Sequence, residues 1–170
     1  MVARLFFALW PDPETAAALA GLAVRLAQES GGRPVPIGKI HLTLAFLGEV
    51  APERMPAALE AATIRARGFE GVLDQIGSFR RAGVAWAGMA DPPRGLIGLE
   101  RKLASRLREA GFALEEREFT PHVTLARRTG RAVPRAAIAP IPWAADAFTL
   151  VRAETGTGRY SIVESWPLRA

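Results

Sequence analysis

The amino-acid sequence contains no cysteine, which excludes a disulfide framework and thiolate chemistry. Histidine and lysine are also scarce, with two residues of each. No apolar run approaches the roughly 20 residues that a membrane-spanning helix needs, so no membrane association is predicted. These absences fit a protein of the reducing cytoplasm, where we expect it to act.

Arginine, by contrast, is abundant and supplies most of the positive charge of a chain with net charge +5 and a pI of about 10.9. This charge permits a polyanionic partner but does not require one, because a general arginine bias over the surface produces the same total. The densest stretch is A-R-R-T-G-R-A-V-P-R, which contains Arg127, Arg128, Arg131 and Arg135. We expect at least one of these four to face a phosphate group.

The 170 residues suffice for one compact domain, and no linker or low-complexity tract divides them. Hydrophobic patterns predict strands at 1–10, 40–47, 71–79, 84–89, 147–153 and 160–166, and one more at the second histidine. Helices are predicted from the Asp12-Pro13 cap to Gly31, from near Pro52 to Gly68, and along the leucine stripe 96–107. The order of helices and histidine-bearing strands indicates a weak internal duplication, in which each half contributes one histidine.

The two histidines occur in the same short pattern, I-H-L-T-L-A-F-L-G at 40–48 and P-H-V-T-L-A-R at 121–127. Alternate residues of a strand share a face, so His41 lies beside Thr43 and His122 lies beside Thr124. Two imidazoles with pKa values near neutrality can act as a base for an attacking oxygen and an acid for a departing one. The threonine hydroxyls and a nearby arginine can stabilise phosphate oxygens, so the pattern indicates a phosphodiester site.

Other chemistries fit the sequence less well. A zinc site needs three or four ligands, and no short motif adds carboxylates to the two histidines. Gly38-Lys39-Ile40 lacks the spacing and the hydroxyl residue of a P-loop, and Gly156-Thr157-Gly158 lacks the third glycine of a dinucleotide-binding loop. We therefore predict no metal and no cofactor.

The paired motifs resemble those of the two-histidine (2H) phosphoesterase superfamily, and in particular the RNA 2′,3′-cyclic phosphodiesterases, which are also called 2′-5′ RNA ligases. The likeness extends to the R-L-F-F-A-L-W-P start, the F-L-G-E-V continuation and the Y-S-I-V-E-S-W-P-L ending, so it covers essentially the whole chain. The resemblance implies one bilobal α+β domain over residues 1–170. Two antiparallel-rich sheets with flanking helices would be related by a pseudo-twofold axis and enclose a central cleft.

The same resemblance implies a reaction. A terminal ribose 2′,3′-cyclic phosphate of an RNA or oligonucleotide would be opened without a metal to leave a 2′-phosphate, with reversible 2′-5′ joining as a side activity. His41 would be the general acid and His122 the general base, although the near symmetry of the site allows the opposite assignment. Thr43 and Thr124 would hold the phosphate, and we expect the protein to act as a monomer.

Two further positions match the family. Arg127 corresponds to a residue that contacts the phosphate or the nucleotide, and Phe46 to one that stacks on a base. Simple alternation along the strand instead predicts that Phe46 lies on the core side with Leu42 and Leu44. Relatives often carry an aromatic-rich segment before the first motif, where this chain has R-P-V-P-I-G-K, so the resemblance does not extend to nucleotide contacts from this segment.

Two alternatives remain open from the sequence. The first is an RNA-binding module that uses a basic cleft without turnover. The second is a related enzyme that cleaves another phosphodiester, such as a 2′-5′ linkage or a cyclic ADP-ribose phosphate.

Overall fold

The computed structural model describes residues 2–169, and within them the chain forms nine strands and three helices. The strands are β1 (Ala3–Leu9), β2 (Arg33–Pro34), β3 (Leu42–Val50), β4 (Phe69–Phe79), β5 (Val84–Gly88), β6 (His122–Arg127), β7 (Ala136–Ala145), β8 (Ala147–Ala153) and β9 (Tyr160–Pro167). The helices are α1 (Pro13–Ser30), α2 (Met55–Ala61) and α3 (Arg94–Glu109). No helix in the described part of the chain is long and apolar enough to cross a membrane.

The strands form one antiparallel sheet in the order β7-β4-β5-β6-β3-β1-β8-β9, and the short β2 pairs with β6. The motif strands β3 and β6 are neighbours at its centre, where they meet at a single residue pair, Leu42 with Val123. Four strands of the main path therefore lie on each side of a narrow junction. The predicted α+β class is confirmed, and the two expected sheets are the halves of this continuous sheet.

Each long helix packs across the junction onto the motif strand of the other half. Helix α1 follows β1 but contacts β6, whereas α3 follows β5 and contacts β3. The predicted cap of α1 is present, since the Asp12 side chain accepts a hydrogen bond from the Thr15 N–H at 2.8 Å and Gly31 ends the helix with φ of 71°. This exchange of helices joins the two halves into one hydrophobic core.

Strand β1 is buried on both faces, as its density of Phe and Leu predicts. Leu5, Phe7 and Leu9 join the main core, whereas Phe6 and Ala8 belong to a small second cluster on the opposite face. Met1, the predicted start of this strand, lies outside the described residues. The second cluster supports the sheet face on which the histidines lie.

One prediction of secondary structure needs correction, and two strands were not predicted. The second helix was expected to run to Gly68 but α2 ends at Ala61, before the β-branched Thr63 and Ile64. Strand β7 was not predicted, because Pro140 and Pro142 argue against a strand; it is tolerated at the edge of the sheet, where one side of the strand has no partner. The two-residue β2 is too short to produce a pattern.

Both motif strands contain a β-bulge at the same motif position. In the pairing of β3 with β1, Thr43 and Ala45 pair with the consecutive residues Ala8 and Phe7, so Leu44 has no pairing partner in β1. In the pairing of β6 with β5, Leu125 is left over in the same way between Thr124 and Ala126. A bulge inserts one residue and reverses the alternation that follows it. The residues five positions after each histidine therefore turn to the histidine face.

One of these two residues is Phe46, and the prediction that it lies on the core side was wrong. Phe46 is 52% exposed as a residue and its backbone pairs with Phe6, which contacts His41. The Arg4 guanidinium lies 5.7 Å from the ring centroid. The equivalent residue of the second motif is Arg127, which the bulge at Leu125 likewise turns towards the histidine face.

Candidate active site

A cleft of about 300 Å³ opens at the junction of the two halves. It is lined by His41 and Thr43 from the first motif and by His122 and Thr124 from the second. Thr43 belongs to β3, His41 directly precedes that strand, and His122 and Thr124 belong to β6, so the four polar side chains converge from the two motifs. Their apolar neighbours Leu42, Leu44, Val123 and Leu125 are buried in the core behind them.

Aromatic residues hold the His41 imidazole in place. The Phe6 ring stacks on it with centroids 4.8 Å apart, and the Trp10 and Tyr160 rings lie at 5.3 and 5.9 Å. Trp10 is fixed in turn by a 2.8 Å hydrogen bond from its Nε1–H to the Thr149 hydroxyl. These contacts restrict the orientation of the ring and bury much of its surface.

His122 has a more open setting. The Phe79 ring contacts it edge to face with centroids 5.0 Å apart, and Phe79 itself packs against Trp86. The Arg135 guanidinium lies over the Trp86 ring, 5.5 Å from its centroid. The two halves thus support their histidines with aromatic residues from different strands.

Backbone carbonyls determine which nitrogen of each ring is protonated when the ring is neutral. The His41 Nδ1 lies 2.7 Å from the Lys39 carbonyl oxygen, and the His122 Nδ1 lies 2.8 Å from that of Thr120. A carbonyl oxygen only accepts, so each Nδ1 carries the hydrogen and donates it. Each Nε2 is therefore the nitrogen that can take up or release a proton, and that of His41 lies 3.0 Å from the Thr43 hydroxyl.

The pKa of both histidines lies below the usual value of 6.5. For His41 the main cause is burial, opposed by the hydrogen bond to the Lys39 carbonyl and reinforced by the charges of Arg127 and His122. Burial also lowers the pKa of His122, opposed by its backbone hydrogen bond and by Glu115, and reinforced by Arg127. The free site therefore favours neutral imidazoles, and an anion bound between them favours their protonation.

Four cationic side chains line the cleft, namely Arg33, Lys39, Arg127 and Arg128, and no carboxylate of the described residues lines it. Residues 2–169 also contain no group of three or more His, Cys, Asp or Glu side chains placed to bind one metal ion. The charge of the cleft is thus strongly positive, which suits a phosphate group.

Sequence reasoning missed three of the residues that line the cleft: Arg33, Lys39 and Tyr160. The R-P-V-P-I-G-K segment, to which the resemblance does not extend, supplies the first two because β2 pairs it with the end of β6. Lys39 also donates a hydrogen bond to the Gly158 carbonyl and lies 5.0 Å from the Tyr160 ring centroid. The position of Lys39 two residues before His41 was the one available signal.

The arginine-rich stretch divides between the cleft and the scaffold. Arg127 and Arg128 line the cleft, whereas a contact of one of the four with a phosphate stays a prediction. Arg131 instead donates hydrogen bonds to the Glu29 and Gln28 carbonyls at the C-terminal end of α1, where a positive charge complements the helix dipole. Arg135 covers Trp86.

Phe46 does not line the cleft, although it lies on the same face of the sheet as Thr43. The aromatic side chain that lines the cleft is Tyr160, which also contacts His41. The structure therefore brings together all the sequence-predicted site residues except Phe46.

Comparisons with known proteins identify the family of the chain. The family model of the 2′-5′ RNA ligase superfamily matches residues 11–157. The chain is 38% identical to the RNA 2′,3′-cyclic phosphodiesterase of Escherichia coli (strain K12), over 97% of this chain and 96% of that one. It is 32% identical to the protein of the same name from Thermus thermophilus, over 98% and 90%.

Solved structures show the same likeness in three dimensions. The crystal structure of E. coli LigT complexed with 3′-AMP superposes with a TM-score of 0.89, 37% identity and complete coverage of both chains. TT0787 of Thermus thermophilus superposes with a TM-score of 0.84 and 31% identity, covering 98% of each chain. The chain belongs to the 2′-5′ RNA ligase superfamily.

Proposed function

We propose that the protein hydrolyses the terminal 2′,3′-cyclic phosphate of RNA or oligonucleotides to a 2′-phosphate. The observation that carries this proposal is the pair of histidines in one cationic cleft, each with its Nδ1–H held by a backbone carbonyl and its Nε2 available for proton transfer. The names of the two relatives, and the crystal structures of E. coli LigT complexed with 3′-AMP and with phosphate, support a phosphodiester substrate.

The reaction requires one neutral and one charged imidazole. His122 Nε2 takes a proton from water as the water oxygen attacks phosphorus. The bond from phosphorus to the 3′-oxygen then breaks, and the protonated His41 Nε2 gives its proton to that oxygen. Since the two Nδ1 atoms are held in the same way, the opposite assignment remains available to the site.

The other motif residues act on the phosphate itself. The Thr43 and Thr124 hydroxyls donate hydrogen bonds to its non-bridging oxygens, and the Arg127 guanidinium offsets the negative charge that grows on them. The anion also raises the proton affinity of the imidazoles, which burial has lowered, and so allows one of them to be charged near neutral pH. If a 5′-hydroxyl takes the place of water, the same steps form a 2′-5′ linkage.

Other parts of the proposal come from the sequence. We expect residues 1–170 to act as a single bilobal domain, in keeping with the continuous sheet and shared core. A metal-independent reaction without a cofactor, a cytoplasmic location and a monomeric state stay predictions. Stacking of Phe46 on a nucleobase is also a prediction, which its exposed ring permits.

The test is the hydrolysis of an oligonucleotide with a 2′,3′-cyclic end, in the presence of EDTA. We expect His41→Gln and His122→Gln each to lower kcat by about 10²- to 10⁴-fold, which is the usual contribution of a general acid or base. The kcat of the double variant should be only slightly lower than that of the less active single variant, because the two groups act as a unit. Arg101→Ala, an exposed change on α3 outside the cleft, is the control for altered charge.

Binding separates catalysis from the alternative of an RNA-binding module. A catalytic site predicts that the histidine variants keep affinity for the 2′-phosphorylated product within a few fold while they lose turnover. Full phosphodiesterase activity in both variants would contradict the proposed site. Hydrolysis of 2′-5′ linkages or cyclic ADP-ribose phosphates in preference to the cyclic RNA end would support the other phosphodiester alternative.

A further inference from the structure

Arg128 has a backbone conformation that the chain otherwise gives to glycine. Seven of residues 2–169 have a positive φ, and six of them are glycines: Gly31, Gly48, Gly83, Gly111, Gly156 and Gly158. The seventh is Arg128, with φ of 54°. A residue with a Cβ is strained in this left-handed region, and such strain is concentrated at functional sites.

The turn at Arg128 is required by the contacts that follow it. The Thr129 N–H donates to the Gly83 carbonyl at 3.1 Å, and the Gly130 and Arg131 N–H groups both donate to the Ser30 carbonyl, at 2.8 and 2.9 Å. These bonds tie the chain after β6 to the β4–β5 turn and to the end of α1. Glycine would make this turn without strain, so the backbone alone does not explain an arginine.

Arg128 lines the cleft beside Arg127. Consecutive residues of a strand point to opposite faces, so an extended conformation at Arg128 would turn its side chain away from Arg127. Neither of the ion pairs in the described part of the chain involves Arg128. Arg128 thus lines the site, and no carboxylate of the described residues forms an ion pair with it.

The positive charge of the cleft exceeds what the proposed reaction needs. A 2′,3′-cyclic phosphate carries one negative charge, which the two positive charges of Arg127 and a protonated histidine more than balance. Lys39 donates to the Gly158 carbonyl and packs on Tyr160. Arg128 and the neighbouring Arg33 therefore remain for a second anionic group of the substrate.

We propose that Arg128 binds the phosphodiester group on the 5′ side of the terminal nucleotide. This inference rests on the proposed function, and it makes oligonucleotide ends better ligands than nucleoside cyclic phosphates. Arginine suits this role because its planar guanidinium donates two parallel hydrogen bonds to phosphate oxygens. The strained backbone is the cost of directing this side chain to the cleft.

The experiment compares two product-like ligands that need no turnover. Isothermal titration gives the Kd of adenosine 2′-monophosphate and of the dinucleotide ApA that carries a terminal 2′-phosphate. We expect the wild-type protein to bind the dinucleotide about tenfold more tightly, since a charged hydrogen-bonded contact to phosphate contributes at least that much. In Arg128→Gly and Arg128→Asn, which both tolerate a positive φ, this ratio should fall towards one.

Three further measurements sharpen the test. Each phosphate contact adds about 0.7 to the slope of log affinity against log salt concentration for a single strand, so the slope for the dinucleotide should fall by about that amount in Arg128→Gly. The melting temperature of Arg128→Gly should rise, because the strain is relieved. Arg101→Ala removes a charge outside the cleft and should leave the ratio unchanged.

An unchanged ratio in Arg128→Gly and Arg128→Asn would overturn the inference, and so would a lower melting temperature in Arg128→Gly, because the side chain would then serve the fold. The proposed function is tested separately by hydrolysis. If the wild-type protein opened no cyclic phosphate but kept an Arg128-dependent preference for the dinucleotide, the activity would be wrong and the subsite would stand.

Discussion

The two buried histidines make the stability of the protein depend on pH in a predictable direction. Burial lowers the pKa of both in the folded chain, whereas in the unfolded chain each titrates near 6.5. Well above pH 6.5 the imidazoles are neutral in both the folded and the unfolded chain, so the histidines do not make the free energy of unfolding depend on pH. As the pH falls below 6.5 the unfolded chain binds protons that the folded chain does not, so the free energy of unfolding decreases.

The size of the effect has an upper limit because the chain has only two histidines. A difference of one bound proton changes the free energy of unfolding by about 1.4 kcal/mol per pH unit. The two histidines together therefore give a slope of at most about 2.7 kcal/mol per pH unit. Below the folded-state pKa values the histidines are protonated in both the folded and the unfolded chain, so they no longer make the free energy of unfolding depend on pH. Glu100, whose pKa is raised by burial, acts in the opposite direction at lower pH.

The assay is urea denaturation at intervals between pH 8.0 and 5.5, for the wild-type protein and for His41→Gln and His122→Gln. In each variant the slope of the free energy of unfolding against pH should lack the contribution of the replaced histidine. Subtracting the variant slope from the wild-type slope removes the contribution of Glu100, which both proteins share. The two imidazoles can be followed in parallel by ring ¹H–¹⁵N spectra, with each variant assigning the other signal. A ring that titrates above pH 6.5 in the free protein, or stability that increases on acidification over this range, would refute the reasoning.

Three further predictions concern the site. The pH profile of kcat/KM should be bell-shaped with its maximum below pH 6.5, since kcat/KM reports the lowered pKa values of the free enzyme; a maximum above pH 7 contradicts this. Thr43→Val and Thr124→Val should each lower kcat/KM about 10- to 100-fold in steady-state assays without unfolding, the size of a lost hydrogen bond to a charged group; full activity would exclude phosphate binding by that hydroxyl. Gly32→Ala should lower affinity for the product, because an added Cβ would lie 2.6 Å from the Arg127 carbonyl oxygen and force β2 away from β6; titration calorimetry with unchanged Kd would contradict this.

The central part of the site could be predicted from the sequence because it depends on local periodicity. In each motif a histidine and a threonine two residues apart share one strand face, and apolar neighbours fill the other. The internal likeness of the two motifs indicated that the faces meet. The caps of α1 and the leucine stripe of α3 are local signals of the same kind, and both helices form where they predict.

The remaining cleft residues depend on contacts between segments that are distant in the chain. Lys39 and Arg33 reach the cleft because β2 pairs with β6. Tyr160 reaches it because β9 pairs with β8, in the half of the sheet that contains β3. The orientation of Phe46 and Arg127 depends on the bulges at Leu44 and Leu125, which are defined by the pairing of two strands. The alternation of residues along a single strand therefore does not reveal these bulges.

The amino-acid sequence by itself therefore determined the reacting groups: two imidazoles and two hydroxyls, each pair presented on one strand face by its own neighbours. Only the tertiary structure decided which charges surround them, how far burial lowers their pKa values, and where the chain after β6 must turn. The physical reason is that strand alternation is a local property of the backbone. Burial, electrostatic potential and strand register exist only once distant segments have packed together.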